Sequence, residues 1–584
     1  MHKRMKSLMF GLVVILVLTF PAMGLADFTT PMRSGDVVDM SVTDAMDKPC
    51  WWPFVVMPYV VADYNKHDGW RGPYWTRVHM IDSHTGTHYD SPQHFVPPPG
   101  FDNNTYVPAT KDFLAEYEAK YGKRACTPIC NEKVPAAQFV GPLRVVDVTH
   151  LVGTIPKSKW PYGPDITVAD VKKHEAKYGP IKAGDVVAFM TKHSDRYYKP
   201  FPEGNRCVYD PLVGKAEGWP TPTPECVFYL EGKGVKHLVT DAPSMGAVTG
   251  REAIFTHWAG LGKEMIYTEY ATNLGAVAPD GSAFYAFLPL KTVGASGDVG
   301  RAIAIQGPVA KALNASAVAG KVVDLTTPIS SDLPCVWPGH FPINVVLENI
   351  WGPGGPWKSE WKTIDEHVGT HYDAPTHFLP PPGFKTEDYA SPAVREWTKK
   401  VEAKYGKTAR STVTNDKVPV EQFCGPLKVM DVGLMEGTAG PGKRPVIDVK
   451  HIKAYERKHG AIKAGDVVMF RTGYDDEYYL PLPAGNRCVA DVLAGKAEGW
   501  PSPSPEFVKY LADKGVKHLV GDTPSMGGED WLPTHTVGLS RGMIYTEMVM
   551  NTSGLPNSGA FFIFLPPKTE GGSGMMGRAI AILP

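Results

Sequence analysis

The sequence has 584 residues, of which 43% are hydrophobic and 21% are charged, so it is long enough for several domains and too apolar to be mainly disordered. Its 60 lysines and arginines balance 61 aspartates and glutamates without a long basic run, which argues against nucleic acid or an anionic membrane as the main partner. The 59 glycines and 54 prolines favour a loop-rich α/β or mainly β enzyme over a helical bundle.

The N-terminal residues 1–26 have the pattern of a secretory signal peptide. Basic residues precede the apolar run 8–20, and small residues lead up to Ala26, after which we expect cleavage. The run is too short for an ordinary membrane-spanning helix, and no later stretch of the sequence is long and apolar enough to be one. The sequence therefore predicts an exported protein, periplasmic or secreted, that has no membrane contact after cleavage.

The rest of the sequence is a tandem duplication. The segment 82–95 returns as 365–378 with most of its residues unchanged, and further matched segments follow in the same order. The repeat is far longer than the unit of a solenoid, so each copy is a domain. We predict a first domain over 27–306, a linker or short connecting helix over 307–319, and a second domain over 320–584.

Apolar runs and periodic segments predict an α/β fold for each copy. Segments 185–189 and 237–240 are apolar runs bounded by glycine or proline, which is typical of buried strands in a central sheet. Segments 168–178 and 449–459 have a helical period and predict helices ahead of such strands. The order of elements is rich in strands, which indicates a mixed sheet with a few helices around it.

A histidine motif, His-x-Gly-Thr-His-x-Asp-x-Pro-x-His, occurs once in each copy. Glycine and proline keep this segment from forming a helix, so we predict a rigid loop. Imidazoles and a carboxylate are ligands that Zn²⁺ or Mn²⁺ bind while coordination positions stay open for water and substrate. The motif residues are His84, His88, Asp90 and His94 in the first copy, and His367, His371, Asp373 and His377 in the second.

A second set of polar residues occurs far downstream in both copies, where a histidine is followed at the same spacing by a glutamate. An Asp-x-Pro-Ser-Met-Gly loop precedes each pair, directly after an apolar strand, where α/β enzymes place functional loops. For Asp241 and Ser244 in this loop, a role in the site and a purely structural role in a turn both stay open. The downstream pairs are His257 and Glu269 in the first copy, and His535 and Glu547 in the second.

The paired motifs resemble the metal-dependent cyclase-like hydrolase family that includes bacterial kynurenine formamidase and isatin hydrolase. The resemblance covers both copies and implies tandem swivelling β/β/α domains of the α/β class, which usually form dimers, so the chain is similar to a dimer fused into one polypeptide. It also implies a divalent metal, Zn or Mn, in each copy, with the last histidine of the motif as acid or base. The implied ligands are His84, His88, Asp90, His257 and Glu269, with His94 as acid or base, and His367, His371, Asp373, His535 and Glu547, with His377 in that role.

These residue types predict hydrolysis. A bound cation lowers the pKa of its water, so that hydroxide can attack an amide or ester carbonyl, and a histidine with an ordinary pKa near 6.5 can pass the proton to the leaving group. We expect an exported, arylformamidase-like hydrolase of an amide, a cyclic amide or imide, or a lactone, with a small molecule as its partner and pairing of pseudo-dimers as a further option. Two alternatives stay open: a metal-dependent cyclase or dehydratase, and a non-catalytic binding protein that metal stabilises.

The two copies differ around the expected site. The entry segment reads Trp-Trp-Pro-Phe over 51–54 but Val-Trp-Pro-Gly over 336–339, so we expect different pocket walls and different substrates. Each copy also carries two insertions that we expect to cap or narrow the pocket. The insertions are 97–135 and 197–224 in the first copy, and 380–419 and 478–505 in the second.

Cysteine usage is compatible with export. The sequence has 8 cysteines, and Cys50 and Cys207 match Cys335 and Cys488 in position within the two copies. In an oxidising compartment, Cys50 with Cys207 and Cys335 with Cys488 are candidate disulfides, and buried free thiols are the alternative.

Overall fold

A computed structural model describes residues 28–69, 72–435, 437–528 and 531–584. The predicted signal peptide lies outside these residues. Within the described ranges, no helix combines the length and the apolar character that crossing a bilayer requires.

The described residues of the first half form twelve strands and six helices. The strands are β1 (Val37–Asp39), β2 (Val60–Asn65), β3 (Thr76–Asp82), β4 (His88–Asp90), β5 (Val140–Asp147), β6 (Asp165–Ile166), β7 (Val186–Met190), β8 (Thr221–Pro222), β9 (His237–Thr240), β10 (Ile266–Glu269), β11 (Asp280–Pro289) and β12 (Gly297–Ile305). The helices are α1 (Pro108–Tyr121), α2 (Val168–Tyr178), α3 (His193–Tyr197), α4 (Tyr209–Leu212), α5 (Pro224–Glu231) and α6 (Gly250–Leu261).

The second half repeats this order after the connecting helix α7 (Pro308–Val318). Its strands are β13 (Val322–Asp324), β14 (Asn344–Gly352), β15 (Gly355–Asp365), β16 (His371–Asp373), β17 (Cys424–Asp431), β18 (Val446–Ile447), β19 (Val467–Arg471), β20 (Ser502–Pro503), β21 (His518–Gly521), β22 (Ile544–Glu547), β23 (Ser558–Leu565), β24 (Gly574–Met576) and β25 (Arg578–Ile582). Its helices are α8 (Pro392–Tyr405), α9 (Val449–His459), α10 (Tyr474–Tyr478), α11 (Ala490–Leu493), α12 (Pro505–Asp513) and α13 (Trp531–Leu539).

Each half has a mixed sheet that curls back on itself. The first sheet has the order β1-β12-β11-β5-β7-β9-β10-β4, and β4 also pairs with β12. Neighbouring strands from β5 to β10 are parallel, and the others are antiparallel. The second sheet has the same arrangement, in which β16 pairs with both β22 and β24. These sheets confirm the α/β fold that the sequence predicts.

Local sequence explains the elements next to the site. Helix α2 begins where the Asp170 carboxylate accepts the N–H of Thr167 at 2.8 Å, and it ends at Gly179, whose φ of +86° few other residues adopt. Helices α2 and α9 have the predicted bounds, and β9 does too. The prediction of a loop throughout the histidine motif was wrong in part, because His88 to Asp90 form strand β4 between β10 and β12.

The connecting segment is a helix, α7, that buries Val309, Ala310 and Leu313 against the first half. Its Val318 packs against Gly184, where an added Cβ would lie 3.2 Å from the valine side chain. In the second half, Pro31 packs in the same way against Gly465, the counterpart of Gly184.

A third sheet joins the two halves, with the strand order β14-β15-β3-β2. Strands β3 and β15 pair in antiparallel fashion, and Met80 lies opposite Thr363, its own counterpart in the duplication. The halves are therefore related by a local two-fold axis at this position, as in a dimer fused into one chain.

The eight cysteines all lie in the described residues and are free thiols, seven of them buried. The candidate disulfides Cys50–Cys207 and Cys335–Cys488 are therefore not formed. The Cys50 thiol instead donates to the carbonyl of Ala45 at 3.4 Å, inside the hydrophobic core.

Candidate metal centres

Strand register and tight turns bring the predicted residues together. Strand β4 pairs with β10 so that His88 lies opposite Glu269, and β16 pairs with β22 so that His371 lies opposite Glu547. The turn before β4 needs Gly86, whose φ is +53° and whose added Cβ would lie 1.7 Å from a carboxylate oxygen of Asp44.

In the first half, the motif residues surround Asp90. Its carboxylate lies 3.6 Å from His84 Nε2, 3.7 Å from His88 Nε2 and 3.9 Å from His94 Nε2. The downstream residues complete the cluster, since His257 Nε2 is 3.2 Å from Asp90 and 3.6 Å from Glu269. Two overlapping groups share Asp90 and have ligand atoms within 4.8 Å of one another: His84, Asp90 and His94, and His88, Asp90 and Glu269.

In the second half, the same cluster forms around Asp373. His535 Nε2 is 3.3 Å from Asp373 and 3.5 Å from Glu547, and His371 Nε2 is 3.3 Å from Glu547. The His367 ring is closer to the carboxylate than in the first half, with Nδ1 at 3.0 Å from Asp373. The structure thus brings all twelve sequence-predicted residues into two clusters of six, and the groups that could hold an ion are the exact counterparts of those in the first half: His367, Asp373 and His377, and His371, Asp373 and Glu547.

Backbone carbonyls fix the direction of four imidazoles. His88 Nδ1 donates to the carbonyl of Gly86 at 2.8 Å, and His257 Nδ1 donates to that of Ala253 at 2.6 Å, since a carbonyl can only accept. His371 and His535 make the same contacts in the second half. In the neutral form of each ring, Nε2 therefore has the lone pair and faces the carboxylates, the orientation found in metal-binding histidines.

Several polar atoms in these clusters are buried without a hydrogen-bond partner. They include both carboxylate oxygens of Asp90 and of Asp373, both ring nitrogens of His84, and Nδ1 of His367. A buried carboxylate without a hydrogen bond is costly unless a cation compensates it. Two carboxylates and nitrogen lone pairs around one point suit a divalent cation, so the residues of both clusters fit a metal ion.

The pKa values report the same concentration of negative charge. Burial opposes the charged form of His257, but the negative charges of Asp90 and Glu269 beside it outweigh burial and raise the pKa of this histidine to about 10. The pKa of His535 is also raised to about 10, through Asp373 and Glu547. A divalent cation would supply the positive charge that these protons otherwise provide.

The last histidine of each motif is different, because it stays neutral. Burial, reinforced by the charge of His84, lowers the pKa of His94 well below its ordinary value, and burial with His367 does the same to the pKa of His377. His94 Nδ1 donates to the carbonyl of Lys358 at 2.7 Å, and His377 Nδ1 donates to that of Trp75 at 2.8 Å. Each of these histidines is therefore held by the opposite half of the chain.

The downstream loop has a supporting role. Asp241 accepts the N–H groups of Thr191 and Lys192 at 2.9 and 2.6 Å, so it shapes the turn after the strand. Ser244 is 3.2 Å from Glu269, and the N–H of Met245 also donates to this glutamate at 2.5 Å. Of the two open residues, Asp241 is structural and Ser244 orients a candidate ligand.

Comparison with known proteins identifies the family. The sequence matches the Cyclase family, described as "Putative cyclase", over residues 38–247 and again over 323–527. The chain belongs to this family. Each matched segment contains one histidine motif and one Asp-x-Pro-Ser loop of this Cyclase-family protein.

Several relatives of the Cyclase-family chain are isatin hydrolases or metal-dependent hydrolases by name. Isatin hydrolase from Roseibium aggregatum is 29% identical over 239 residues, which are 40% of this chain and 77% of that protein. Isatin hydrolase A from Ralstonia solanacearum, a solved structure, is 25% identical with a TM-score of 0.36 and covers 47% of this chain and 97% of its own. A structure titled as a potential metal-dependent hydrolase with cyclase activity is 20% identical with a TM-score of 0.30, over 45% of this chain and 96% of its own.

A cavity of about 420 Å³ opens onto the second cluster of the Cyclase-family chain. Its walls are largely aromatic, and its lining also includes the exposed Lys443 and the buried Arg444. The insertion 478–505, which the sequence predicts to cap or narrow the pocket, contributes Val492, Leu493 and Trp500 to the lining. The aromatic side chains of the lining are Tyr74, Trp337, Phe378, Trp500 and Trp531.

Tyr74 and His340 are among the cavity residues of this Cyclase-family chain that sequence reasoning missed. Tyr74 comes from the first half, and its hydroxyl lies 3.2 Å from His340 Nε2, which lines the same cavity. His340 is a single histidine outside the motif, with Asp365 3.7 Å from its Nδ1. Its only sequence signal is that the matching position of the first half is Val55.

Proposed function

We propose that the chain is an exported metal-dependent hydrolase with two active centres, which opens an aryl or cyclic amide or imide, or a lactone. The observation that carries the proposal is the pair of buried, hydrogen-bond-deficient aspartates, Asp90 and Asp373, each surrounded by histidine nitrogens and a second carboxylate. Relatives named as isatin hydrolase and as metal-dependent hydrolase support the same reaction class.

The metal would be held in each half by the residues that the sequence nominates, and Zn or Mn suits this mixed nitrogen and oxygen set. When bound, the cation lowers the pKa of water and offsets negative charge on a carbonyl oxygen. The ligands would be His84, His88, Asp90, His257 and Glu269 in the first centre, and His367, His371, Asp373, His535 and Glu547 in the second.

The proton would be moved by His94 in the first centre and by His377 in the second. Because Nδ1–H of each donates to a backbone carbonyl, Nε2 is a free lone pair that faces the cluster. Their lowered pKa keeps both imidazoles neutral at physiological pH, so each can accept a proton from water and return it to the leaving nitrogen or oxygen.

The cavity of the second centre favours an aromatic substrate. Its volume of about 420 Å³ suits a one- or two-ring molecule, and five aromatic side chains offer faces and edges to such rings. Lys443 and Arg444 in the lining favour a substrate or product with a negative charge. A hydrolysed cyclic amide or lactone carries a carboxylate, which has that charge.

The first centre should prefer neutral substrates, because its surroundings differ in charge. Tyr162 and Gly163 precede Pro164 at the position where Lys443 and Arg444 precede Pro445. The two centres would then share one chemistry and divide substrates between them by charge.

The mature chain would work in the periplasm or outside the cell, with a small molecule as its only obligate partner. The pattern of residues 1–26 supports export. A size measurement on the mature chain would decide whether pseudo-dimers also pair with one another.

Elemental analysis of the mature chain tests the proposal, together with the mass of the products formed from aryl formamides, cyclic imides and lactones. We expect two equivalents or more of Zn or Mn per chain and products that have gained one water. Products of unchanged mass, or with water lost, would favour a cyclase or dehydratase acting through the same residues. A chain that takes up no metal after reconstitution would overturn the proposal and leave a binding protein.

A further inference from the structure

A buried carboxylate lies near the first motif histidine of each candidate metal centre. The two carboxylates come from different positions of the repeat. Both bind a serine at the start of the strand that follows the cluster, Ser296 before β12 and Ser573 before β24. These serines are counterparts in the duplication.

In the first half, the carboxylate is Glu360, which belongs to strand β15 of the second half. It accepts the N–H of Ser296 at 3.1 Å and its hydroxyl at 2.9 Å, and it accepts the hydroxyl of Ser83 at 2.9 Å. Lys358 lies 3.2 Å from the same carboxylate, and Glu360 is 1% exposed. Ser83 directly precedes the first motif histidine.

In the second half, the carboxylate is Glu366, which directly precedes the motif histidine of its own half. It accepts the N–H of Ser573 at 3.0 Å and its hydroxyl at 2.7 Å. The first half contributes the cation, since Arg77 Nε donates to Glu366 at 2.8 Å and His79 Nε2 lies 3.1 Å away. Glu366 is also fully buried.

In the second half, the carboxylate determines which ring nitrogen of the first motif histidine faces the metal position. The Ser573 hydroxyl gives its proton to Glu366, so its oxygen accepts from His367 Nε2–H at 2.9 Å. His367 Nδ1 then has the lone pair, and it faces Asp373 at 3.0 Å. Outer hydrogen bonds of this kind fix the tautomer and ring orientation of metal ligands. In the first half, Ser296 also gives its proton to Glu360, but it makes no hydrogen bond to His84; the adjacent Gly297 packs against this ring, with an added Cβ 3.2 Å from Nε2.

The two acids do not occupy equivalent positions in the duplication. Counting from the histidine motifs, Glu360 stands where the first half has Arg77, and Glu366 stands where it has Ser83. Both acids thus belong to the second half. Two first halves paired together would bury Arg77 without an acid, and two second halves would direct Glu360 and Glu366 at one serine, with two negative charges in a buried space.

A second contact between the halves also requires two unlike partners. Lys362 on β15 makes a buried ion pair with Asp298 of the first half. The counterparts of these residues are His79 and Met575, so a pair of second halves would bury Lys362 beside methionine.

We propose that Glu360 and Glu366 are the positioning residues of the two metal centres, and that the first centre is built only when the second half supplies Glu360. The proposal rests on the proposed function, because it assumes that both clusters bind metal. It makes the two halves an obligate unlike pair in which neither half can serve as its own partner.

The experiment measures metal affinity in the full chain, one centre at a time. A His371→Ala background leaves the first centre, and a His88→Ala background leaves the second. We expect Glu360→Gln to lower metal affinity about 10- to 100-fold at the first centre and less than about twofold at the second. Glu366→Gln is the matched control and should give the reverse pattern. Circular dichroism checks that the variants are folded. Glu360→Asp is a less severe variant that keeps the carboxylate.

Moving the acid to its counterpart position should restore metal affinity at the first centre. A purely structural role of Glu360 would not predict this rescue. Ser83→Glu with Glu360→Arg rebuilds in the first half the arrangement of Glu366 and Arg77, and metal affinity at the first centre should return to within about threefold of the parent chain. Equal losses at both centres, no loss at either, or no rescue would overturn the positioning role. Absence of metal from the parent chain would instead overturn the proposed function.

Discussion

The two halves have the same set of candidate metal ligands and different surroundings of it. Both clusters consist of four histidines, an aspartate and a glutamate, whereas Ala253 near the first cluster corresponds to Trp531 in the wall of the second, because each precedes its downstream histidine by one helical turn. Likewise, Trp357 corresponds to Tyr74. After duplication, the candidate ligands have been kept while the side chains and charges around them have diverged. Substitutions made in one half at a time test which properties the two halves share.

Removal of one ligand from each cluster should give the largest effect. His88→Ala should abolish metal binding and turnover at the first centre, and His371→Ala should do so at the second, because each removes a buried nitrogen that faces the carboxylates. Metal stoichiometry and turnover of the two single variants and the double variant would be measured. Full activity in the double variant on any substrate of the parent chain contradicts the metal mechanism.

Removal of the proton-moving histidine should have a smaller effect that leaves metal in place. His94→Ala should lower kcat at the first centre by roughly 10²- to 10⁴-fold, and His377→Ala should do the same at the second. The comparison is made on a substrate that only one centre turns over, with metal content as control. A loss of metal equal to the loss of rate would show that these residues act as ligands.

The metal-free chain should lose stability as pH rises. The pKa of His257 and of His535 is raised to about 10 in the fold, above the ordinary value near 6.5, so the contribution of each is complete below pH 6.5 and is lost as pH approaches 10. Denaturant unfolding of the chelated chain at pH 6.5 and pH 9.5 should differ by on the order of 2 kcal/mol more than in the His257→Gln variant. The same slope in both chains would contradict this assignment.

The smallest expected effect concerns the charge in the lining of the second cavity. In a His88→Ala background, Lys443→Gln should raise KM for an anionic aromatic substrate about two- to fivefold and leave kcat unchanged, because an exposed charge pair contributes only about 0.2–1 kcal/mol. A neutral aromatic substrate is the control and should be unaffected. An equal change for both substrates would show that Lys443 acts through shape and not through charge.

Local patterns in the sequence were sufficient to predict much of the fold and the residues of the two candidate clusters. Helix α2 and strand β9 follow from periodicity and from Gly179 and similar stop signals, which act over a few residues. The clusters could be predicted because the duplication marks their residues twice, and His88 meets Glu269 through ordinary strand register.

Contacts between the halves could not be predicted in this way. Pairing of β3 with β15 joins residues far apart in sequence, and it alone brings Tyr74, Lys358 and Glu360 to the opposite centre. Neither periodicity nor a motif encodes such pairing. The sequence could not decide between disulfides and free thiols for a related reason, since matched positions of Cys50 and Cys335 show common ancestry and carry no distance information.

The local two-fold axis between Met80 and Thr363 has a consequence for how such an interface can evolve. In a dimer of identical subunits, every interface residue occurs twice, so a surface must be self-complementary and a new acid meets its own copy across the axis. Fusion of two copies removes that constraint. Arg77 could acquire Glu366 as a partner on one side while the other side evolved Glu360 and Lys362, an asymmetry that no symmetric ancestor could have carried.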